Sequence, residues 1–267
     1  MRDPRLFPSL LGAALLAGCA GPATRADAPA VAVVAAPSDH TAPPVIAAAE
    51  SMPEAAAPAL LAQLERLAPD ADPGVLALAL EARACAVRSG TVEAASRLAV
   101  IDYSRPSTAK RLWVFDLAQP RLLHHEHVAH GQGTGDNLAR RFSNADGSHA
   151  TSLGLFRTAE TYIGGNGYSL RLQGLSRGFN ESALRRLIVM HGAPYVNPIA
   201  AMAMGRLGRS WGCPAVRTAV AKPMIDTLKQ GQFIYSHGPG TEKLSQCRTE
   251  NLALLATPPE TSPQSAR

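Results

Sequence analysis

The chain has 267 residues, 46% of them apolar and 18% charged, which excludes both a chain disordered throughout and a fibrous one. Its formal charge is +5, but the cations are scattered and overwhelmingly Arg, with Lys only at Lys110, Lys222, Lys229 and Lys243. There is no basic stripe with interleaved aromatics, so a nucleic-acid partner is not expected.

Arg2 and Arg5 precede the apolar run from Ser9 to Ala17, which at about 1.5 Å per residue is too short to cross a hydrocarbon core of about 30 Å. The segment reads as the apolar part of a secretory signal. It ends in Leu16-Ala17-Gly18-Cys19, which resembles the lipobox of bacterial lipoproteins. That resemblance implies cleavage before Cys19, a lipid on its thiol, and a membrane-anchored protein of the cell envelope facing the periplasm. The residue after the Cys is Ala20 rather than Asp, which points to the outer membrane. A plain signal peptide cut near Ala20, or a buried helix, are the readings it competes with.

Residues 20–53 are Ala, Pro and small polar residues with no period, as expected of a disordered tether. Leu60, Leu61, Leu64 and Leu67 recur at helical spacing, and a second helix follows with Asp72 as N-cap, Pro73 in its first turn and Gly90 as its stop. Its apolar face is Val75, Leu78, Ala82 and Cys85. After Gly90 the pattern turns to strands: Leu98 to Tyr103, Arg111 to Leu117, and Leu122 to Val128. Leu153 to Ile163 and Tyr168 to Gln173 flank Gly164-Gly165-Asn166-Gly167, a hairpin signal. Asn180 is placed to cap a helical turn, Leu187 to His191 reads as a buried strand, Pro223 to Gln230 as a helix, and Gln232 to Ser236 as a last strand. The expected domains are a signal peptide at 1–19, the tether at 20–53, helices at 54–97 packed on the β-rich domain, that domain at 98–240, and a loose tail at 241–267.

The chemistry concentrates in Gly205-Arg206-Leu207-Gly208-Arg209-Ser210-Trp211-Gly212-Cys213-Pro214. Gly212 permits close backbone approach and Pro214 stops a regular element, so Cys213 is expected on a constrained, exposed turn. Arg206 and Arg209 would favour its thiolate if they lie close in space. The candidate base is His191, which ends the apolar run Leu187-Ile188-Val189-Met190 and is followed by Gly192. A lone His at a strand end is more often structural; the pairing with a nucleophilic Cys reverses that reading.

These residues resemble the murein L,D-transpeptidase family, in which a His-Gly is followed some distance on by Ser/Thr-His-Gly-Cys. Here the matching residues are His191-Gly192 and Ser210-Trp211-Gly212-Cys213, and the likeness extends from His130 to Tyr235 through Phe142-Ser143-Asn144, Ser152-Leu153-Gly154 and Gly167 to Leu172. Trp211 stands where the better-known branch has His, so the chain looks like the divergent branch. The resemblance implies a mainly β domain, α+β by content: an L,D-transpeptidase-like sandwich or barrel with a two-helix prefix and one C-terminal helix. It also implies a two-step acyl transfer on peptidoglycan stem peptides. In it Cys213 is the nucleophile, His191 the base oriented by the carbonyl of Gly192, and the N–H groups of Gly212 and Cys213 the oxyanion donors. Arg209, Ser210, Trp211, Ser143, Asn144, Ser169 and Arg171 are candidates for substrate contact. Arg209 could equally pin its loop, and the alternation in β character leaves Ser169 and Arg171 on a face that could simply be solvated. Hydrolysis at the same bond, giving an L,D-carboxypeptidase, and an inactive wall-binding lipoprotein are the alternatives.

No cofactor is expected. His124, His125, Glu126, His127 and His130 suggest a metal cluster, but the HExxH spacing fails: from His125-Glu126 the next fitting His would be at 129, which is Ala129. Gly131, Gly133 and Gly135 lack a phosphate-loop context and are expected to shape a loop near the site. With Cys19 lipidated and Cys213 reduced, Cys85 and Cys247 are left as a candidate disulfide in an oxidising compartment, against the reading of a core residue and a tail thiol. A monomer is expected.

Overall fold

A computed structural model describes residues 56–90 and 92–244. Cys19, the tether, Cys247 and the end of the tail therefore lie outside the described residues.

Two helices open the described chain, α1 (Ala56–Leu67) and α2 (Pro73–Arg88). Asp72 caps α2, its carboxylate accepting from the Val75 N–H at 3.1 Å, and Pro73 costs nothing at a position whose N–H has no helical partner. The strands are β1 (Arg97–Asp102), β2 (Leu112–Asp116), β3 (Arg121–Glu126), β4 (Val128–Ala129), β5 (Gly154–Gly164), β6 (Gly167–Gly174), β7 (Val189–Ala193), β8 (Ala215–Arg217) and β9 (Phe233–His237). Helix α3 (Pro198–Met204) lies between β7 and β8, and α4 (Thr218–Leu228) between β8 and β9.

The strands form one sheet in the order β3-β2-β1-β9-β5-β6-β7-β8-β4. Since β3 and β4 are consecutive in the chain yet occupy opposite edges, the sheet curls nearly shut into a barrel-like body. Glu126 at the end of β3 pairs with Arg217 on β8, Nη2 to Oε1 2.5 Å, across that closure. One face of the sheet takes α4, whose Ala221, Met224, Ile225 and Leu228 meet Ala99, Ile101, Leu170, Leu172, Met190 and Ile234. The other face, carrying Leu98, Val100, Trp113, Phe115, Leu155, Phe233 and Tyr235, is covered by α1 and α2 through Leu60, Leu64, Val75, Leu76 and Ala79.

Several expected boundaries move for local reasons. The strand expected from Leu187 starts at Val189, because Leu187 takes a positive φ of 55° and is 64% exposed. The third expected strand divides at His127 into β3 and β4, which pair with different neighbours. Helix α4 begins at Thr218, with Pro223 inside it instead of at its start. The single C-terminal helix is accompanied by α3, which was not foreseen. Asn180 does not cap a helix: fully buried, it accepts from the Ser176 N–H at 2.8 Å and donates to the Leu155 carbonyl at 2.9 Å, tying the following turns to β5.

Candidate active site

His191 and Cys213 arrive from neighbouring elements. In the parallel β7–β8 pair Ala215 stands opposite His191, so Cys213 lies two residues before the start of the ladder. There the Val189 N–H donates to its Sγ at 3.5 Å, and the thiol faces the Leu187 carbonyl at 3.8 Å. Val189 and His191 share a face of β7, one strand repeat of roughly 7 Å apart. Thiol and imidazole therefore both lie along β7, the thiol at its first residue and the imidazole on its third.

The ring of His191 is buried, and its Nδ1 lies 3.1 Å from the Gly192 carbonyl. A carbonyl can only accept, so Nδ1 carries the proton and Nε2 is left with its lone pair. Burial lowers the His191 pKa, only partly countered by that carbonyl, and keeps the ring neutral at rest. Gly192 has a second role: a Cβ there would sit 2.8 Å from the Cβ of Ala221, so its bare backbone lets α4 close against β7.

Burial pushes the Cys213 thiol up, while the Val189 N–H and the charge of Arg186 pull it down, with burial prevailing. The resting pair is thus neutral thiol and neutral imidazole.

The turn that presents the thiol is held by Ser210. Its buried hydroxyl donates to the Cys213 carbonyl at 2.6 Å and accepts from the Gly212 N–H at 3.1 Å. Its backbone bridges to Gly131 and bonds the His130 carbonyl and the Gln132 N–H. Gly131 is required at this crossing, since a Cβ there would lie 2.3 Å from the His149 carbonyl and 2.8 Å from Gly212 Cα.

Ser210 thus clamps the turn from within, and the Gly212 N–H is donated to its hydroxyl; among the described residues the Cys213 N–H makes no hydrogen bond.

Arg209 takes the second of the two places open to it. Its Nη1 donates to the Gly135 carbonyl and meets Asp136 Oδ1, both at 3.0 Å, so it pins the glycine-rich loop. Arg206 likewise faces Asp136, at 3.7 Å. The guanidinium that reaches the thiol's surroundings is Arg186, which sequence reasoning missed. It donates to the carbonyls of Ser143 at 2.7 Å and Ala150 at 2.8 Å, and to the hydroxyls of Ser152 at 2.5 Å and Ser148 at 3.0 Å. Ser143 thereby serves through its backbone, and Asn144 accepts from the Ser182 N–H at 3.1 Å; both build the rim that Arg186 ties together.

Ser169 pairs directly with His191 and so shares its face, but it is fully buried and donates to the Gly167 carbonyl, which leaves it no substrate contact. Arg171, opposite Val189 on that face, lies over the Tyr162 ring at 4.5 Å and pairs with Glu160 at 2.8 Å. Trp211 is 71% exposed and stacks on His149 with ring centroids 4.7 Å apart. Tyr195, also unforeseen, sets its ring edge-on to His191 at 6.5 Å, and burial pushes its phenol up to about 12.

The discounted histidines have structural partners. His130 is buried against Arg111 at 2.8 Å, and His125 stacks on Trp113 and faces Asp70 at 3.2 Å. His124 meets Thr227 and His127 the Thr108 carbonyl. Among the described residues no group of three or more His, Cys, Asp or Glu could hold a metal ion.

Comparison with solved structures finds loose likenesses. The L,D-transpeptidase from Mycobacterium smegmatis is 13% identical, with 54% of this chain and 59% of that one covered and a TM-score of 0.34. The helical cell shape determining protein Pgp2 from Campylobacter jejuni is 11% identical, with 61% and 55% covered and a TM-score of 0.36. LD transpeptidase LdtMt1 in complex with imipenem is 15% identical, with 53% and 59% covered and a TM-score of 0.32. The matched region thus spans less than two thirds of each of these solved chains. No curated protein matches. Residues 67–237, which take in α2, the whole sheet and both His191 and Cys213, match the L,D-transpeptidase catalytic domain, and the chain belongs to that family.

Proposed function

We propose that the chain is a peptidoglycan L,D-transpeptidase in which Cys213 is the nucleophile and His191 its base. His191 Nε2 takes the thiol proton as Sγ bonds to the carbonyl carbon of the diamino acid in a stem tetrapeptide. The amide bond to the terminal D-residue then breaks, and its amine leaves with that proton. An acceptor amine attacks the thioester, loses a proton to His191, and the C–S bond breaks to restore the thiol. With Gly212 engaged, the Cys213 N–H is the oxyanion donor, a contact of the kind worth roughly 3 to 4 kcal/mol in a transition state.

The observation that carries the reading is the tautomer of His191: Nδ1–H fixed on the Gly192 carbonyl leaves Nε2 as a base on the strand that the thiol abuts. Incubation with a stem tetrapeptide followed by intact-mass measurement tests it. A thioester adduct on the wild type and none on Cys213→Ala supports the mechanism; equal mass in both proteins refutes it. Muropeptide analysis then separates the activities: new dimers mean transpeptidation, and shortened monomers mean carboxypeptidation. Acylation by a carbapenem is expected at the same thiol, as the imipenem complex of LdtMt1 suggests.

The lipobox-like Leu16 to Cys19 supports a lipid anchor in the envelope, and Cys85 with Cys247 a disulfide. Thiol titration of the denatured, unreduced Cys213→Ala protein checks the second: two free thiols outside Cys19 would exclude the bridge.

A further inference from the structure

Strand β5 carries a bulge between Thr158 and Thr161, where its register against β6 shifts. A cavity of about 660 Å³ opens there, lined among others by Arg157, Glu160, Gln173, Lys229 and Gly231. That volume is in the range of small-ligand sites. Its cations are not equally occupied. Lys229 meets Asp226 at 3.0 Å, and the one carboxylate of the lining, Glu160, is taken by Arg171 at 2.8 Å. The Arg157 guanidinium has no hydrogen bond or ion pair among the described residues, and its Nε is buried without a partner. It is held in place by packing: a Cβ on Gly231 would lie 3.1 Å from its Nη2, so the group rests against bare backbone. A half-buried guanidinium with unused donors is a receptor for a planar anion, above all a carboxylate, which it can grip through two parallel N–H groups.

The strand register ties this cavity to the site. Arg157 stands opposite Gln173, Arg171 opposite Val189, and Ser169 opposite His191. Directly paired residues share a face, as do alternate residues of one strand, so Arg157, Gln173, Arg171, Ser169 and His191 all lie on the same side of the sheet. Gln173 is four residues from Ser169 along β6, roughly 13 Å, which is the extended length of about four peptide units.

We infer that the cavity at the β5 bulge is a carboxylate-binding subsite, centred on Arg157, for a peptide whose other end reaches the thiol. This rests on the reading of the chain as a stem-peptide transpeptidase, and it adds where a free carboxylate of that peptide is held. Glu160 and Arg171 then form the neutral stretch between the two ends.

The probes are a stem tetrapeptide with its side carboxylates free and the same peptide with them amidated, titrated by calorimetry into the Cys213→Ala protein so that no turnover intervenes. The carboxylate form is expected to bind at least tenfold more tightly than the amide. In the Cys213→Ala/Arg157→Gln protein that preference is expected to vanish, and Arg157→Lys should restore part of it. Equal affinity for both peptides, or a preference that survives Arg157→Gln, overturns the inference, as does absence of binding by either peptide. Thermal melts of all variants check that the fold is intact; if Arg157→Gln melts early, the side-chain NMR resonance of Arg157 in the Cys213→Ala protein, followed through both titrations, gives the answer instead. A shift with the carboxylate peptide alone supports the subsite, and no shift overturns it. The mass measurement of the thioester is independent, so failure of the subsite and failure of the mechanism are told apart.

Discussion

Replacing Arg186 by Met removes the guanidinium that joins Ser143, Ser148, Ala150 and Ser152 beneath the Cys213 turn. The two hydroxyls can turn to other partners, but the carbonyls of Ser143 and Ala150 lose charge-assisted bonds worth about 1.5 to 3 kcal/mol each. The group is half-buried, so the lower end applies and the expected loss of stability is about 3 kcal/mol. For a body of this size, that lowers the melting temperature by roughly 6 to 12 °C. The same change removes a positive charge that favours the Cys213 thiolate, so the thiol, already raised by burial, moves further up. The assay is the rate of iodoacetamide alkylation of Cys213 as a function of pH. In the wild type the rate should climb with pH through an inflection above the ordinary thiol value, since only the thiolate attacks. In Arg186→Met the inflection should shift to higher pH and the rate should fall at every pH below it. An unshifted profile would refute the coupling of this guanidinium to the thiol. A wild-type inflection below pH 7 would refute the neutral resting pair.

Ser210→Ala leaves the Gly212 N–H and the Cys213 carbonyl without their shared partner, and should cost about 2 to 3 kcal/mol in urea unfolding while slowing acylation. Gly131→Ala drives a Cβ into the His149 carbonyl and Gly212, so acylation should fall more than tenfold with a measurable loss of melting temperature. His130 is lowered to about 4 by burial and by Arg111, whose Nη2 occupies its Nδ1 side. Because the unfolded chain binds that proton near the ordinary His value of about 6.5, stability is complete above it and is lost as pH falls toward 4, by up to about 3 kcal/mol. Urea unfolding at pH 7.5 and pH 5 should show about 2 kcal/mol of that loss, and His130→Gln should shrink it; an unchanged difference would dismiss His130 as its source. Trp211→Ala removes only an exposed stack on His149 and should change stability by less than about 1 kcal/mol, read by thermal melting.

What was legible in the sequence is what neighbouring residues decide. Asp72 with Pro73 announced α2, and Gly164-Gly165-Asn166-Gly167 announced the β5–β6 hairpin, because cap and turn chemistry is local. Helix α3 had such a signal in Asn197-Pro198 and Gly205, with the Asn side chain accepting from Ile199 and Ala200, but its apolar run had no polar face to mark it. Pro223 misled because Pro usually opens a helix, whereas here it sits in the sixth position of α4, where packing of Ala221, Met224 and Ile225 outweighs the lost backbone bond. The short β4 and β8 are made by pairing partners far apart in the chain and leave no periodicity to read. In the site, His191, Gly192 and Cys213 were visible as a spaced motif. Arg186 was not, since its role depends on a rim assembled from residues 143 to 152. Arg209 looked the better cation only because it is near Cys213 in sequence, and the fold turns it to Asp136.

The blanket that α1 and α2 lay over one side of the sheet sets practical limits for anyone trimming this protein for expression. The family match begins at residue 67, and a fragment starting there would leave out Leu60 and Leu64, whose side chains sit in the same cluster as Trp113 and Phe115. A fragment starting at residue 92 would strip both helices and present Leu98, Val100, Phe233 and Tyr235 to water as a sticky plate. Such a fragment should precipitate or self-associate even with its Cys213 turn intact, and a lack of turnover in it would say nothing about the chemistry.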